Sequence, residues 1–382
     1  MRLKLKADII KNFSLMKSIA GTDPIHKNIL IMARKNGLTK FAVSDGKISY
    51  TFITEAEIDN LPEDLEGDGV CIDAVQFCDL LLGWNKDFIL DCDKEKATVK
   101  LGKSKYIING MAWQNFPNLP KAKQEDLGMI IEKKVLENVL YYNYCYQKKT
   151  DNLSAFLGIK FIANDIKVTS YASDGLVFGY YESPREELPE FYSDQKPIEC
   201  SIPGIYLSDI KKFLTIDLST FTIKEENGTV FIFSDSNRTL AFTGIALPFP
   251  DITKVVKMNT IGYQFKVNTN SFLEILRRLI KTTDQKSGQI NLNFTGNVLT
   301  LSAKNSLTTG EEELEVENTH EQDIEFSANG FSLMDFTEHI TTETFLFTIN
   351  DLKNRLQICD DHIRYVTVPM ITNTIEVKKN AE

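Results

Sequence analysis

This chain of 382 residues is short of most things that announce a function, and each gap removes a class of activity. No apolar run approaches the roughly 20 residues that cross a bilayer as a helix, so no membrane partner is expected. The opening Met1-Arg2-Leu3-Lys4-Leu5-Lys6 alternates apolar and basic residues. That is a strand pattern, where a signal peptide would need a continuous apolar segment. The six cysteines (Cys71, Cys78, Cys92, Cys145, Cys200, Cys359) are scattered and form no CxxC pair. Neither a disulfide framework nor a zinc site is expected, and a reducing cytoplasm fits. There is no GxxxxGK[ST] loop, no HExxH and no GxSxG. The four histidines (His26, His320, His339, His362) lie far apart and read as surface or structural residues. Catalytic residues, metal and cofactors are all expected to be none. Positive charge is scarce as well. With 43 Lys and Arg against 53 Asp and Glu, the formal charge is −10, which argues at first sight against nucleic acid. Net charge is only a sum, however. A basic strip can bind phosphates within an acidic protein, whose remaining surface then repels DNA.

What is present is a globular composition, 42% hydrophobic, in a chain too long for one ordinary core. Each third of it reads strand, helix, three strands, then the same again. In the first third, helical spacing covers 7–19 and 74–84, and Ser44-Asp45-Gly46 makes a hairpin turn between two strands. That third closes on Phe116-Pro117-Asn118-Leu119. In the second, helices are expected over 132–147 and 207–214, and the close is Phe249-Pro250-Asp251-Ile252. In the last, helices are expected over 271–280 and 331–339. A strand-like run, Arg364-Tyr365-Val366-Thr367-Val368-Pro369-Met370-Ile371, ends at its proline. The repeat lies in element order and is too long for a solenoid unit. It predicts an α+β protein of three similar domains, 1–123, 124–256 and 257–371, each with two helices packed on antiparallel sheet. Residues 372–382 form a C-terminal extension.

Several local patterns in this order carry a resemblance: Gly102-Lys103-Ser104-Lys105-Tyr106 with Phe116-Pro117-Asn118-Leu119, then Ser173-Asp174-Gly175, then Phe249-Pro250-Asp251, then Tyr365-Val366-Thr367-Val368-Pro369-Met370. Together, from Met1 to about Ile371, the chain resembles the bacterial replication sliding clamp, the β subunit of DNA polymerase III. The resemblance implies a head-to-tail homodimer whose six DNA-clamp domains close a ring, with helices lining the hole. Such a ring encircles double-stranded DNA without reading sequence. It tethers the replicative DNA polymerase, and clamp loader and repair proteins bind it through short peptide motifs.

The resemblance also assigns residues. A peptide pocket between the second and third domains would use Phe156, Ser173, Gly175, Leu176, Val177, Phe178, Pro250, Lys254, Val255, Val366, Val368, Pro369 and Met370. The family commonly has His-Arg where Leu176 and Val177 stand, which makes this pocket more apolar. The chain also runs past the family's usual end. Ile375 and Val377 alternate like a short strand, and the extension is expected to lie across the pocket. The DNA-facing cations would be Lys11, Lys17, Lys133, Lys134, Lys148, Lys149, Lys211, Lys212, Arg277, Arg278 and Lys281, all on or beside helices. Contacts of this kind suit a ring that slides, since phosphates position a protein without specifying sequence. Ring closure would set Lys103 and Lys105, with Tyr106 and Ile108, against Leu279, Ile280 and the run Glu311-Glu312-Glu313 of the next subunit. That acidic run by itself reads as a solvated face or ion-pair edge rather than a metal site. Two other functions remain compatible with the residues: a clamp-like scaffold that is never loaded, and a hydrolase with paired carboxylates.

Overall fold

The computed structural model describes residues 1–61, 67–120, 129–143, 158–164, 167–175, 177–183, 197–215, 220–226, 230–249, 262–318, 323–350, 355–361, 363–367 and 376–378. Six α-helices occur among them: α1 Phe13–Ile19, α2 Ala74–Leu81, α3 Lys133–Asn143, α4 Leu207–Thr215, α5 Thr269–Leu279 and α6 Gly330–Glu338.

The helices form because one face of each is apolar at helical spacing. In α5, Phe272, Ile275, Leu276 and Leu279 are buried while Glu274, Arg277 and Arg278 are exposed. In α4, Leu207, Ile210, Phe213 and Leu214 are buried. Three helices begin in one way. Asp73, Asn268 and Asn329 end a strand, and their side chains accept hydrogen bonds from the backbone N–H of Gln76 (2.9 Å), Ser271 (3.0 Å) and Ser332 (3.1 Å). Each cap satisfies a donor that the first turn leaves without a partner.

Two expected helices differ in extent. Residues Ala7–Asn12 form a 3₁₀ helix, and the α-helix starts only at Phe13. Buried Asn12 explains the break: its amide donates to Ile9 O (3.0 Å), and its oxygen accepts from the Tyr50 hydroxyl (2.6 Å). The helix expected over 74–84 stops at Leu81. Leu82 is extended and Gly83 adopts φ +91°, a left-handed conformation that suits glycine after a helix end.

The chain divides into two compact units, and its middle third contributes to both. The first unit holds a thirteen-stranded sheet. Its order is Met129–Glu132, Thr220–Glu226, Val230–Ser234, Arg238–Thr243, Ile48–Glu55, Leu38–Ser44, Asn28–Arg34, Gly67–Asp73, Ser104–Ala112, Lys96–Leu101, Phe88–Asp93, Arg2–Leu5 and Glu57–Asp59. The sheet passes from the second third to the first where Arg238–Thr243 pairs antiparallel with Ile48–Glu55. Helix α1 packs on both α2 and α4. Phe13 of α1 lies 5.6 Å from Phe41, 5.8 Å from Phe52 and 5.2 Å from Phe77, ring centre to ring centre.

The second unit contains a sheet running Gly158–Ala163, Val168–Ser173, Phe178–Glu182, Ile363–Thr367, Arg355–Cys359, Thr344–Asn350, Tyr263–Asn268, Glu317–Asn318. It also contains a five-stranded sheet in the order Thr309–Glu315, Val298–Lys304, Gln289–Thr295, Asp323–Asn329, Glu376–Lys378. Helices α5 and α6 pack on each other, over buried Phe265, Phe272, Phe294, Phe326, Phe345 and Phe347.

Two local devices recur. In Ser44-Asp45-Gly46, Ser44 Oγ donates to Ile48 O (3.1 Å) and accepts from Gly46 N (3.0 Å), while Asp45 Oδ1 accepts from Ile48 N (2.7 Å). In Ser173-Asp174-Gly175 the matching distances are 2.8 Å to Val177 O, 2.9 Å from Gly175 N and 2.8 Å from Val177 N. Gly46 and Gly175 have φ of +93° and +95°, which a side chain disfavours. The Phe-Pro closures recur as well. Phe116 and Leu119 pack on Leu30, Ala42 and Cys71, and Phe249 packs on Tyr180 with Tyr171 and Phe178. Ala42 and Tyr180 each neighbour a residue that meets a helix (Phe41 with α1, Tyr181 with α3), so both closures cover the sheet face away from the helices.

Candidate functional site

Three sets of residues can carry function, and the first lies within the second unit. The first is the corner at the last long strand. Phe178–Glu182 and Ile363–Thr367 pair antiparallel, with Phe178 opposite Val366 and Tyr180 opposite Arg364. Phe249 packs against the same strand. The three fragments expected from the sequence to lie together therefore meet. Ser173 is fully buried, and Val177 and Val366 are 6% and 2% exposed, so these three form the floor of the corner. Gly175 is exposed and Phe178 half-buried. The other pocket residues (Phe156, Leu176, Pro250, Lys254, Val255, Val368, Pro369 and Met370) lie outside the described residues.

Two tyrosines at this corner are absent from the expected set. The rings of Tyr171 and Tyr180 lie 5.2 Å apart. The alternation that puts Phe178 on one face also puts Tyr180 there, and that was the available signal. The Tyr180 hydroxyl donates to Glu182, which also pairs with Lys167 at 2.8 Å. Burial, then the bond to Glu182, pushes the Tyr180 hydroxyl well above its ordinary pKa. Burial alone would raise Glu182, but the hydrogen bonds from Lys167 and Tyr180 outweigh it and hold the carboxyl below its usual value.

The second place is the set of helix cations. Lys11, Lys134, Lys211, Arg277, Arg278 and Lys281 are exposed, and Lys17, Lys133 and Lys212 are half-buried. Lys148 and Lys149 lie outside the described residues. Several of these charges already have acids in the same chain: Lys17 with Asp79, Lys133 with Glu137 (3.6 Å), and Arg277 with Glu338 (3.0 Å). Lys134, Lys211 and Lys281 form no ion pair among the described residues. Tyr141 of α3, which residue spacing did not mark, is 49% exposed. Its hydroxyl donates to Glu338 O (3.2 Å), and its ring lies 4.7 Å from that of His339. His339 Nδ1 is 2.6 Å from Asp335 O, and His26 Nδ1 is 2.6 Å from Asp23, so both histidines sit in local hydrogen bonds.

The third place comprises two strand edges. In Ser104–Ala112, residues 110–112 pair with Gly67–Asp73. Residues 104–109 pair with Lys96–Leu101 alone. Lys103 and Lys105 are exposed there, as is Tyr106 (41%). Ile108, expected as an apolar contact, is 4% exposed and belongs to the core, whereas its neighbour Ile107 is 61% exposed. The strand alternates, and the residue that the resemblance implied lies on the inward face. Thr309–Glu315 ends its sheet, with Glu311 and Glu313 exposed and Glu312 half-buried. Leu279, expected at a subunit contact, is 2% exposed because α5 turns it onto its own sheet, where a Cβ on Gly310 would come within 3.0 Å of it. Ile280 is half-buried. Glu312 was expected to face lysines of another subunit. It instead accepts a two-pronged bond from Arg278, with Nε at 2.9 Å from Oε1 and Nη2 at 2.5 Å from Oε2. That bond, chiefly, lowers Glu312 and raises Arg278. A cation expected to meet DNA and an acid expected to meet a partner thus answer each other.

The extension also departs from expectation. Its described residues, Glu376–Lys378, pair antiparallel with Asp323–Glu325 and not with the corner strand. An open sheet edge offers unpaired backbone donors and acceptors, and Val377 stands opposite fully buried Ile324.

Among the described residues no three His, Cys, Asp or Glu side chains gather as a metal site, and no helix is long and apolar enough to cross a membrane. No family model matches the chain. It is 24% identical over 345 residues to a β sliding clamp of Halalkalibacterium halodurans, covering 88% of each chain. Among solved structures it matches the DNA polymerase III subunit beta from Pseudomonas aeruginosa, with a TM-score of 0.84 at 18% identity, over 97% of this chain and 100% of that one. It matches the DNA polymerase sliding clamp from Bacillus subtilis with a TM-score of 0.85 at 16% identity, over 98% and 100%.

Proposed function

We propose that this chain, which has the fold of the bacterial sliding clamps, is a DNA sliding clamp: a non-catalytic processivity factor that encircles duplex DNA and tethers the replicative polymerase. The observation that carries this reading is the likeness of fold along nearly the whole length of both chains. The chain works as three clamp domains, 1–123, 124–256 and 257–371, and acts in the cytoplasm. Repetition supports the division: the Ser-Asp-Gly turn and the Phe-Pro closure occur in the first and second thirds, and the Asx helix cap in the first and third.

Two subunits close head to tail. The open edge at 104–109 carries Lys105, Tyr106 and Ile107, and the outer strand Thr309–Glu315 carries Glu311 and Glu313. A basic edge with exposed apolar residues and an acidic edge are complementary in charge and in unmet backbone hydrogen bonding. The exposed lysines Lys134, Lys211 and Lys281 meet phosphates loosely. The corner of Gly175, Phe178, Tyr171 and Tyr180 receives an extended peptide motif from the polymerase, the clamp loader or repair proteins, using an apolar anchor.

The decisive experiment loads the protein onto nicked circular DNA and then linearises the circle. A clamp stays on the circle and slides off the line. Retention on linear DNA, or failure to load with a competent loader, would remove the function. The latter result favours an unloaded clamp-like scaffold, a reading supported by the acids paired with Lys17, Lys133, Arg277 and Arg278.

A further inference from the structure

Two antiparallel strand pairs join successive thirds of the chain, and both have one register. Arg238 stands opposite Phe52, Leu240 opposite Tyr50 and Ala241 opposite Ser49. Ile363 stands opposite Tyr181, Tyr365 opposite Gly179 and Val366 opposite Phe178. The positions correspond because matching turns precede the strands. The main-chain oxygens of Ile48, Val177 and Thr308 accept from the N–H of Asp45 (3.1 Å), Asp174 (3.3 Å) and Asn305 (2.9 Å). Their own N–H groups donate to the side chains of those three residues at 2.7, 2.8 and 2.7 Å. On the facing strands, the oxygens of Arg238 and Ile363 accept from the N–H of Asp235 and Asp360, each at 3.0 Å, across a two-residue turn. Ser104 holds that place in the first third, opposite Leu101 across the turn Gly102-Lys103. Each joint thus sets the strand after an Asx turn against the last long strand of the next third. Two such strands are left without a joint: Thr309–Glu315, which ends its sheet, and Ser104–Ala112 at residues 104–109.

We propose that a second copy of the chain completes the missing joint in this same register, with Ser104 opposite Glu312, Lys105 opposite Glu311, Tyr106 opposite Gly310 and Ile107 opposite Thr309 of the other copy. The inference rests on the head-to-tail reading above and fixes which residues meet. Three features of the two edges fit it. Tyr106 against Gly310 repeats the pairing of Tyr365 with Gly179. Tyr365, with its facing strand in place, is 1% exposed, whereas Tyr106 in the single chain is 41% exposed. Lys105 and Glu311 are both exposed, form no ion pair among the described residues, and come together on one face, where opposite charges favour pairing. Glu312 falls on the other face, where Arg278 already holds it. A slip of two residues would bring Tyr106 to Glu312 or to Thr308 and lose the tyrosine–glycine pair.

Two double-cysteine chains test the register: Ile107→Cys with Thr309→Cys, and Ile107→Cys with Glu311→Cys. Each is oxidised with diamide, and covalent dimer is read on a non-reducing gel. The natural chain is the control for its own cysteines. The first chain is expected to cross-link about tenfold faster than the second, because directly opposite Cβ atoms lie roughly 4.5–5.5 Å apart and diagonal ones further. A charge exchange reads the same register without oxidation. Lys105→Glu is expected to weaken dimerisation about tenfold in sedimentation. Adding Glu311→Lys to that chain should restore the dimer, and adding Glu313→Lys should leave it weak. All the substituted residues are exposed, so melting temperatures should stay at the natural value. Faster cross-linking of the second chain, or rescue by Glu313→Lys in place of Glu311→Lys, would overturn the register and leave the ring standing. If the natural chain sediments as a dimer and neither double-cysteine chain cross-links, the contact lies elsewhere and the proposal falls. A natural chain that sediments as a monomer removes the head-to-tail reading itself, and the proposal with it.

Discussion

A charge that already has a partner in its own chain makes a poor handle for DNA. Arg278 is locked to Glu312, and Arg277 faces Glu338, whereas Lys281, one turn on, is exposed with no ion pair among the described residues. Replacing Lys134, Lys211 and Lys281 by alanine should therefore flatten the salt dependence of DNA binding, by about 0.9 in slope for each phosphate that is no longer neutralised. Replacing Arg277 and Arg278 should change it less, and a larger change in the arginine pair would reverse the assignment. A second prediction concerns Glu182. Its carboxyl is held below its ordinary pKa by Lys167 and Tyr180. The stability it contributes is full above its unfolded pKa, about 4.3, and is lost as pH falls through the lower folded value. Tyr180→Phe removes one of those bonds. Melting curves at pH 7 and pH 4 should then show a smaller loss on acidification in the variant than in the natural chain.

At the level of elements, what spacing can reveal and what it cannot separate cleanly. The six α-helices were legible because apolar residues recur every three or four positions, and the hairpin at Ser44-Asp45-Gly46 because few residues tolerate its backbone. The 3₁₀ stretch at Ala7–Asn12 was not, since the reason for it is a hydrogen bond from Tyr50, far along the chain. The resemblance implied a contact role for Leu279 and Ile108, but burial is decided by the strands lying beneath them. The corner was legible as three fragments, yet their meeting depends on the pairing of Phe178 with Val366, nearly half the chain away. The caps offer a direct check. Asn268→Ala and Asn329→Ala should each cost about 0.5–2 kcal/mol, read as a lower melting temperature. Gly175→Ala should also destabilise, because φ of +95° is strained for alanine.

For the whole molecule, assembly and folding can be told apart by two substitutions. Ile107 is exposed and Leu279 is core. Ile107→Asp should yield monomers by sedimentation with an unchanged melting temperature. Leu279→Asp places a charge in an apolar interior, where it is strongly unfavourable, and should lower the melting temperature sharply. A dimeric Ile107→Asp protein would move the subunit contact away from the edge at 104–109.

The twin turns at Ser44-Asp45-Gly46 and Ser173-Asp174-Gly175 speak of ancestry. Their surroundings differ: His26 lies against one, and nothing lies within 4 Å of the position a Cβ would take in the other. The hydroxyl, the carboxylate and the glycine persist in the same bonds. Tandem duplication of a gene leaves such a mark, in which drift has rewritten every letter except those the backbone cannot spare. If so, the turn and its two flanking strands form a heritable module. Moving the first copy into the place of the second should preserve the hairpin and erase only what the second acquired since they parted.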